Sequence, residues 1–402
     1  MPRRDYRKNT APLAEGSQRS LGRRNFVKLI GSAGVAATAT GLLTANAAAS
    51  PSGSASLRSS EDRQATAPSW DESGKLRLTL ACWDYDRTRA LMERRIPVDG
   101  IELTYLNLRI EETFFRMLRY HEFDVAEMSL SSYVASLFAD NPAFIAIPVF
   151  PSRVFRHSFI FVNRYSGIRE PKDLAGKRVG TPEYEMTAGV WIRGILSDEY
   201  KVPVASTTYF TGGQEEPGRP EKLTLSLPPE IRIESIPPTR TLSQMLDAGG
   251  LDALYSGYVP STFESGSGSV RRLFEDYYTV ERDYFLKTKI FPIMHTIVIR
   301  RDVYEKYPWV ARSLYKAFVD SQRQTYQALN TKELLKTMLP FLMRCVEDTQ
   351  VLMGQDFWLY GFEANLHTLS TFLRYSYEQG LSKRLLKPQE LFAPESLESF
   401  KI

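Results

Sequence analysis

KLRLTLACWDYDRTRALMERRIPVDGIELTYLNL, residues 75–108, decides the fold class, because its pattern passes from strand to short helix to strand. From Leu76 to Trp83 apolar residues recur at alternate positions, the period of a strand with one buried face. Arg87 to Arg94 reads as a helix, Asp99-Gly100 is a turn signal, and Ile101 to Leu108 reads as a second strand. Downstream the rhythm continues. Glu111 to Arg119 places Phe114, Phe115 and Leu118 at helical spacing, Phe123 to Ala126 is short and apolar, and Ser129 stands where it would cap a helix running to Phe138. Strands alternating with helices predict an α/β protein with mostly parallel sheets.

Phe144 to Phe150 and Phe159 to Asn163 are the next expected strands, and Glu170-Pro171-Lys172-Asp173-Leu174 reads as a link into a second lobe. That lobe would hold a helix from Thr187 to Leu196, strands near Thr207–Phe210, Ile231–Ile236 and Leu251–Tyr255, and a helix over Leu242–Leu246. Its Gly- and Pro-rich insert, Thr211 to Pro229, reads as irregular loop. Thr296 to Ile299 returns to strand pattern. Helical patterns follow over Trp309–Gln324, Lys332–Val346 and Glu363–Tyr375, and these helices are expected to return to the first lobe. The expected division is therefore lobe 1 over 75–170 and 291–402, with the C-terminal helices, and lobe 2 over 171–290.

Upstream of the body, Arg23-Arg24-Asn25-Phe26-Val27-Lys28 precedes a weakly apolar run to Leu43 and the small-residue stretch Ala45 to Ala49. A basic start, a Gly-interrupted apolar stretch and an Ala-x-Ala site make a cleavable twin-arginine signal over 1–47, followed by a Ser-, Ala- and Pro-rich flexible leader over 48–74. The expected address is periplasmic or extracellular, with the twin-arginine translocase as the partner during export. Residues 1–47 carry eight Lys or Arg against Asp5 and Glu15, so the formal charge of +4 falls to about −2 without them. The basicity belongs to the signal, and a nucleic-acid partner loses its footing. No second membrane span appears, so the mature chain is not expected to insert stably in a membrane. Cys82 and Cys345 are too few for a disulfide framework; Cys82 sits in an apolar strand and reads as a buried free thiol.

Ligands of open α/β sheets bind where strands end. Four such segments are rich in functional groups. In Trp83-Asp84-Tyr85-Asp86-Arg87, the rings could stack on a planar ligand and Arg87 pair with a carboxylate, or Asp84 or Asp86 could merely cap the next helix. Ser129, Ser131 and Ser132 cluster at a helix start, either an anion site or an ordinary cap. Arg153, Arg156 and His157 lie between two expected strands; arginine can grip a carboxylate through two hydrogen bonds, and histidine can give or take a proton near neutral pH, although a lone histidine is more often structural. Glu183 and Glu185 precede a second helix start at Thr187, where either carboxyl could serve as acid or base. Among the remaining histidines, His295 is placed to reach a cleft, whereas His367 sits among apolar helix residues. Glycine-rich phosphate loops, zinc-spaced Cys/His clusters and the Gly-x-Ser-x-Gly elbow are absent from the sequence, which argues against nucleotide, zinc-peptidase and serine-esterase chemistry.

Leu80-Ala81-Cys82-Trp83-Asp84-Tyr85-Asp86-Arg87-Thr88, Phe123-Asp124-Val125-Ala126-Glu127-Met128-Ser129-Leu130-Ser131-Ser132, Arg153 with Phe155 and His157, and Gly176 to Tyr184 resemble the 4,5-dihydroxyphthalate decarboxylase family. The resemblance runs from about Lys75 to Ile402 and includes Trp191, Arg193 and Gly194, while Glu185 stands where the family pattern has Gln. The family is similar to two-lobed periplasmic solute-binding proteins, which implies a ligand held between lobes. Its activity implies a lyase that removes CO2 from a hydroxylated aromatic dicarboxylate, in aromatic-compound catabolism, without an organic cofactor. His157 would then move the proton and Arg153 and Arg156 hold carboxylates, with the Ser129, Ser131 and Ser132 hydroxyls on oxygens and Trp83 or Tyr85 over the ring. A divalent ion on Asp84, Asp86 or Glu127 stays open. The export signal favours the other reading of the same groups, a receptor that passes an anionic or aromatic solute to an ABC-type permease.

Overall fold

The computed structural model describes residues 68–219, 221–331 and 333–398. The expected signal peptide and most of the leader lie outside the described residues. The last leader residues, 68–74, are already part of the body: Trp70 bridges to Leu76 and packs edge-on against Tyr307, and the Asp71 carboxylate accepts from the Ser73 and Lys75 amides.

The first sheet takes β1 (Leu76–Ala81), β2 (Ile101–Leu106), β3 (Val125–Ser129) and β4 (Phe144–Ile147). The second takes β5 (Ile160–Asn163), β6 (Arg178–Thr181), β7 (Thr208–Thr211), β8 (Arg232–Ser235), β9 (Ala253–Tyr255) and β10 (Val270–Arg272), and β11 (His295–Arg300) returns to the first. Strand orders are β2-β1-β3-β11-β4 and β10-β5-β9-β6-β7-β8. In each sheet every strand runs one way except the strand by which the chain enters from the other lobe: β11 opposes β3 and β4, and β5 opposes β9 and β10. This is the two-lobed, mostly parallel architecture of the binding-protein-like fold.

Helices α1 (Asp86–Met92), α2 (Ile110–Tyr120) and α3 (Leu130–Ser136) connect strands of the first sheet. In the second lobe lie α4 (Thr187–Tyr200), α5 (Leu242–Asp247), α6 (Ser261–Glu264) and α7 (Tyr277–Thr288). The tail forms α8 (Arg301–Lys306), α9 (Trp309–Leu329), α10 (Leu342–Met353) and α11 (Leu366–Glu378). In β1, Leu76, Leu78 and Leu80 are buried, as the alternation requires. Ser129 caps α3, its hydroxyl accepting from the Ser132 amide at 3.4 Å. At the Asp99-Gly100 turn, glycine adopts a φ of +71°, and a Cβ there would come within 3.0 Å of the Trp309 ring.

Several expectations are corrected. Because β5 pairs with β9 and β10, the chain crosses between lobes over Pro151–Phe159, upstream of the Glu170-Pro171 link, which joins elements of the second lobe. The return crossing runs beside it: Arg153 bridges Ile293, and Ser152 O accepts from Met294 N at 2.8 Å. Of the tail helices, α9 packs on α1, but α11 lies on α4 in the second lobe, with Tyr375 edge-on to Trp191 at 5.6 Å and Arg374 paired with Asp198 at 2.5 Å. The expected helix at Lys332–Val346 starts only at Leu342, because Pro340 interrupts the pattern.

Candidate active site at the seam between the lobes

Two strand ends and two helix starts meet at the seam. β3 and β11 are antiparallel, with Ser129 opposite His295 and Glu127 opposite Ile297, so Glu127, Ser129 and His295 share one face of the sheet. From the diagonal position, His295 Nδ1 lies 2.6 Å from Glu127 Oε1. The Glu127 carboxylate is buried and fully occupied: it also accepts from Tyr85 Oη at 2.7 Å and from the Trp83 amide at 3.1 Å. Burial pushes this carboxyl up, but the His295 hydrogen bond and charge, followed by the Tyr85 and Trp83 bonds, outweigh it and hold Glu127 below the ordinary glutamate value. Among the described residues, His295 Nε2 has no protein partner; the ring meets the edge of Phe114 and the side chain is 14% exposed. A buried carboxylate that fixes one imidazole nitrogen and leaves the other open is a proton-transfer arrangement.

Across the seam stands the start of α4. Thr187 Oγ1 lies 2.8 Å from Ser129 Oγ and accepts from the Ser131 amide at 3.0 Å. Ser132 Oγ donates to Glu185 Oε2 at 3.0 Å. The Ser131 hydroxyl is buried without a partner. Behind this layer, Glu183 accepts from Arg219 Nε at 2.9 Å and from Lys222, which also lies 3.4 Å from Glu185. Burial, then the charge of Glu221, pushes Glu185 up to about 7, and burial brings Lys222 down to about 8.

Arg156 is buried near the same corner, its Nε donating to the Met294 sulfur at 3.0 Å and Nη1 to Gly257 O at 3.3 Å. Those are neutral partners; among the described residues no carboxylate is at ion-pair distance, and burial lowers this guanidinium to about 9. The Glu281 charge offsets part of this from beyond ion-pair distance, and a buried cation with no direct counter-ion is expensive unless a ligand supplies one.

The seam thus unites Tyr85, Ser129, Ser131, Ser132, Thr187 and His295, with Arg156 beside them. It does not take in the two residues placed first in the sequence reading. His157 is packed among Tyr200, Phe274 and Tyr284 with both ring nitrogens unpartnered, and burial depresses it to about 4. Tyr200 ends α4 whereas Thr187 begins it, so His157 packs against the end of that helix away from the seam. Arg153 braces the hinge: its guanidinium donates to Phe291 O at 2.9 Å, Leu359 O at 2.7 Å and Asn365 Oδ1. The first segment also divides. Trp83 contributes its amide while its ring is 38% exposed, Asp84 pairs outward with Arg89 at 2.9 Å, and Arg87 is held between the Tyr85 and Trp358 rings. Glu183 sits one layer back, neutralised by Arg219 and Lys222. Asp84, Asp86 and Glu127 have separate partners, and no metal-holding group of three or more acids, histidines or cysteines occurs among the described residues. Both cysteines are free, Cys82 donating weakly to Glu127 at 3.5 Å.

Sequence reasoning underrated Glu127, whose flanking β-strand pattern gave no hint of four partners, and missed Arg219 and Lys222 inside a loop without periodicity. Charged residues interrupting that Gly/Pro-rich insert were the available signal.

No family model matches the chain. A 4,5-dihydroxyphthalate decarboxylase of Comamonas testosteroni is 42% identical over 328 residues, covering 82% of this chain and 99% of the relative. One from Pseudomonas putida is 40% identical over 211 residues, 52% of this chain and 82% of the relative. Solved structures similar to it include the periplasmic aliphatic sulphonate binding protein of Escherichia coli, 12% identical, with a TM-score of 0.44 over 79% of this chain and 97% of that one. With 42% identity sustained across nearly the whole of the first relative, the chain belongs to the 4,5-dihydroxyphthalate decarboxylase family.

Proposed function

We propose that this chain is a carboxy-lyase that decarboxylates a hydroxylated aromatic dicarboxylate, 4,5-dihydroxyphthalate or a close analogue, at the interlobe seam, with His295 moving the proton. The observation that carries the assignment is the Glu127–His295 pair, with Nδ1 fixed and Nε2 open. Imidazolium Nε2–H gives its proton to the ring carbon that bears the departing carboxylate, while the hydroxyl para to it feeds electron density into the ring. The bond to the carboxylate then breaks, its electron pair restores the aromatic ring, and CO2 leaves. One proton is consumed per CO2, and no oxidant is needed. Glu127 stabilises the imidazolium and holds its orientation, as the orienting carboxylate of a catalytic triad does. Arg156 supplies the counter-charge for a substrate carboxylate, and the Ser131 hydroxyl is a free donor at the same seam.

Purified protein is incubated with 4,5-dihydroxyphthalate while CO2 and the ring-retained monoacid are followed, beside a calorimetric titration. Turnover supports the lyase. Binding without turnover would overturn it in favour of a solute receptor handing its ligand to a permease.

We further propose that the chain leaves the cytoplasm by the twin-arginine route, on the strength of Arg23-Arg24 and the Ala-x-Ala stretch. Expression in a bacterium with an active twin-arginine translocase should give a processed, exported protein, and replacing both arginines by lysine should retain it inside. Equal export of both forms would remove the proposal.

A further inference from the structure

The row of hydroxyls at the seam has a different ionisable group at each end. At one end β11 sets His295 opposite Ser129, and the Arg156 guanidinium is tied to Met294 next to it. At the other, a turn further along α3, Ser132 Oγ donates to Glu185 Oε2 at 3.0 Å. The helical turn from Ser129 to Ser132 spans about 5 Å, on the scale of a substituted benzene ring. A ring laid along the row therefore has a cation and an open imidazole nitrogen at one edge and a carboxyl group at the other.

Glu185 is fully buried, yet its bonding capacity is not filled. Its partners are the Ser132 hydroxyl and, at 3.4 Å, the Lys222 ammonium, whereas the two oxygens of a carboxylate can accept about four bonds. Glu183 is matched more closely, by Arg219 at 2.9 Å and by Lys222. With Arg193 and Glu221 behind them, the cations Arg193, Arg219 and Lys222 face the carboxyl groups of Glu183, Glu185 and Glu221, so among the described residues this corner holds no surplus of positive charge for an anion. A second observation points to a ligand: beside Ser132, the Ser131 hydroxyl is buried without a partner. The Ser132 hydroxyl meets Glu185 as a ligand hydroxyl would, and trading one for the other loses no hydrogen bond to the carboxylate.

We propose that Glu185 selects the substrate by its hydroxyls: it accepts from a hydroxyl on the ring edge opposite the carboxylates, Ser131 pairs with the adjacent hydroxyl, and the Glu185 charge refuses a ring that carries an anionic group there. This rests on the seam being the site of a hydroxylated aromatic acid. The substrate class narrows to aromatic acids with hydroxyl donors on one edge and carboxylates on the other. With the carboxylates at Arg156 and the hydroxyls at Glu185, the carbon that bears the departing carboxylate is presented to His295 Nε2. The reversed ring would set carboxylate against carboxylate, and that repulsion fixes the orientation as firmly as the hydrogen bonds do.

Calorimetric titrations at pH 8, above the value of about 7 to which burial and the Glu221 charge raise Glu185, test this with 4,5-dihydroxyphthalate, phthalate and benzene-1,2,4,5-tetracarboxylate. These share one carboxylate edge and carry hydroxyls, hydrogens or carboxylates on the other. The wild type should bind the dihydroxy compound about 10–100-fold more tightly than phthalate, and the tetracarboxylate most weakly. E185Q, isosteric and uncharged, should keep its phthalate affinity, lose about tenfold of the preference for hydroxyls and bring the tetracarboxylate closer to phthalate. E185A carries the test should the glutamine disturb folding, read by circular dichroism, and E185D, which keeps the charge, should retain the wild-type order. A Glu185 of purely structural role would weaken all three ligands alike. Equal affinity of the wild type for the dihydroxy compound and phthalate, or wild-type ratios in E185Q and E185A, would overturn the proposal and leave the lyase reading standing. The expected order without turnover would support the proposal and remove the lyase, and a wild type that binds none of the three would overturn both.

Discussion

Glu127→Gln isolates the charge of the proposed dyad from its shape. Oε1 of Glu127 receives Tyr85 Oη at 2.7 Å and His295 at 2.6 Å, and Oε2 receives the Trp83 amide at 3.1 Å. A glutamine offers one oxygen and one NH2. If its oxygen keeps Tyr85 and His295, the NH2 faces the Trp83 N–H; if it keeps Trp83, the NH2 faces His295 and selects the tautomer with the proton on Nε2 but no negative charge behind it. Either way the imidazolium loses its counter-ion, an effect of about 3–5 kcal/mol on the transition state, or roughly 10²–10⁴ in kcat. Folding stability should change much less. Each lost charge-assisted bond is worth about 1.5–3 kcal/mol, but the cost of burying the carboxylate disappears with it. The assay is CO2 release at saturating substrate, with urea denaturation of both proteins. His295→Gln should fall to a similar rate, and the double variant should be little worse than either single one, because the two residues act as a unit. A folded Glu127→Gln protein with kcat within tenfold of the wild type would refute the reasoning and move the proton donor elsewhere.

His157→Phe should leave turnover unchanged and be neutral or stabilising by up to about 2 kcal/mol, since it removes two buried, unpartnered nitrogens. It should also flatten an acid limb: with His157 depressed from 6.5 to about 4, the folded protein loses up to about 3 kcal/mol as pH falls through that window, so denaturation at pH 4 and pH 7 checks both points, and a hundredfold fall in kcat would contradict them. Glu185 has the opposite sign. Its carboxyl is raised from 4.5 to about 7, so the folded state loses up to about 3 kcal/mol as pH rises through that interval; Glu185→Gln should remove this slope in urea titrations at pH 5 and pH 8, and an unchanged slope would rule out Glu185 as its source. Gly194→Ala should destabilise by about 1–3 kcal/mol or more in thermal denaturation, because the added Cβ would stand 2.2 Å from the Tyr375 ring between α4 and α11; an unchanged melting temperature would mean that contact is loose.

Much of the fold was readable because it is carried by local period. Leu76, Leu78 and Leu80 alternate, Ser129 caps where a serine before an apolar run should, and Thr187 begins the helix that follows Met186. What period does not carry is partnership between distant segments. Ile160–Asn163 reads identically as a strand of either sheet; only its pairing with β9 assigns it to the second lobe. Arg153 and His157 lie off the seam for a related reason. The crossing segment is extended where Arg153 bridges Ile293 but bends at Arg156 into a 3-10 turn that starts at His157, so Arg153 meets backbone oxygens at the hinge while His157 meets rings. Composition marks such residues as chemically capable but says nothing about which side of the strand is covered. His295 was legible as a cleft residue, yet its partner lay 168 positions away in β3, beyond any local pattern.

The two arginines of that segment show how geometry separates scaffold from site. Arg153 spends its guanidinium on Phe291, Leu359 and Asn365, oxygens drawn from the returning crossing and the tail, so its bonds hold the hinge together whether or not a ligand is present. Arg156 has a thioether and one carbonyl at 3.3 Å, at the corner where Met294 precedes His295 and Gly257 follows β9. Direct polar bonds across the seam itself are few and largely neutral: Ser129 with Thr187, the Ser131 amide with Thr187, and Ser132 with Glu185. At about 0.5–1.5 kcal/mol for a neutral bond, such contacts can be exchanged for those of a ligand. The seam bonds are therefore of a kind that a ligand can replace, while those of Arg153 hold the hinge with or without one. An anionic ring entering there would meet a cation already desolvated in Arg156 and an imidazole already oriented by Glu127, which is the preorganisation that electrostatic catalysis requires.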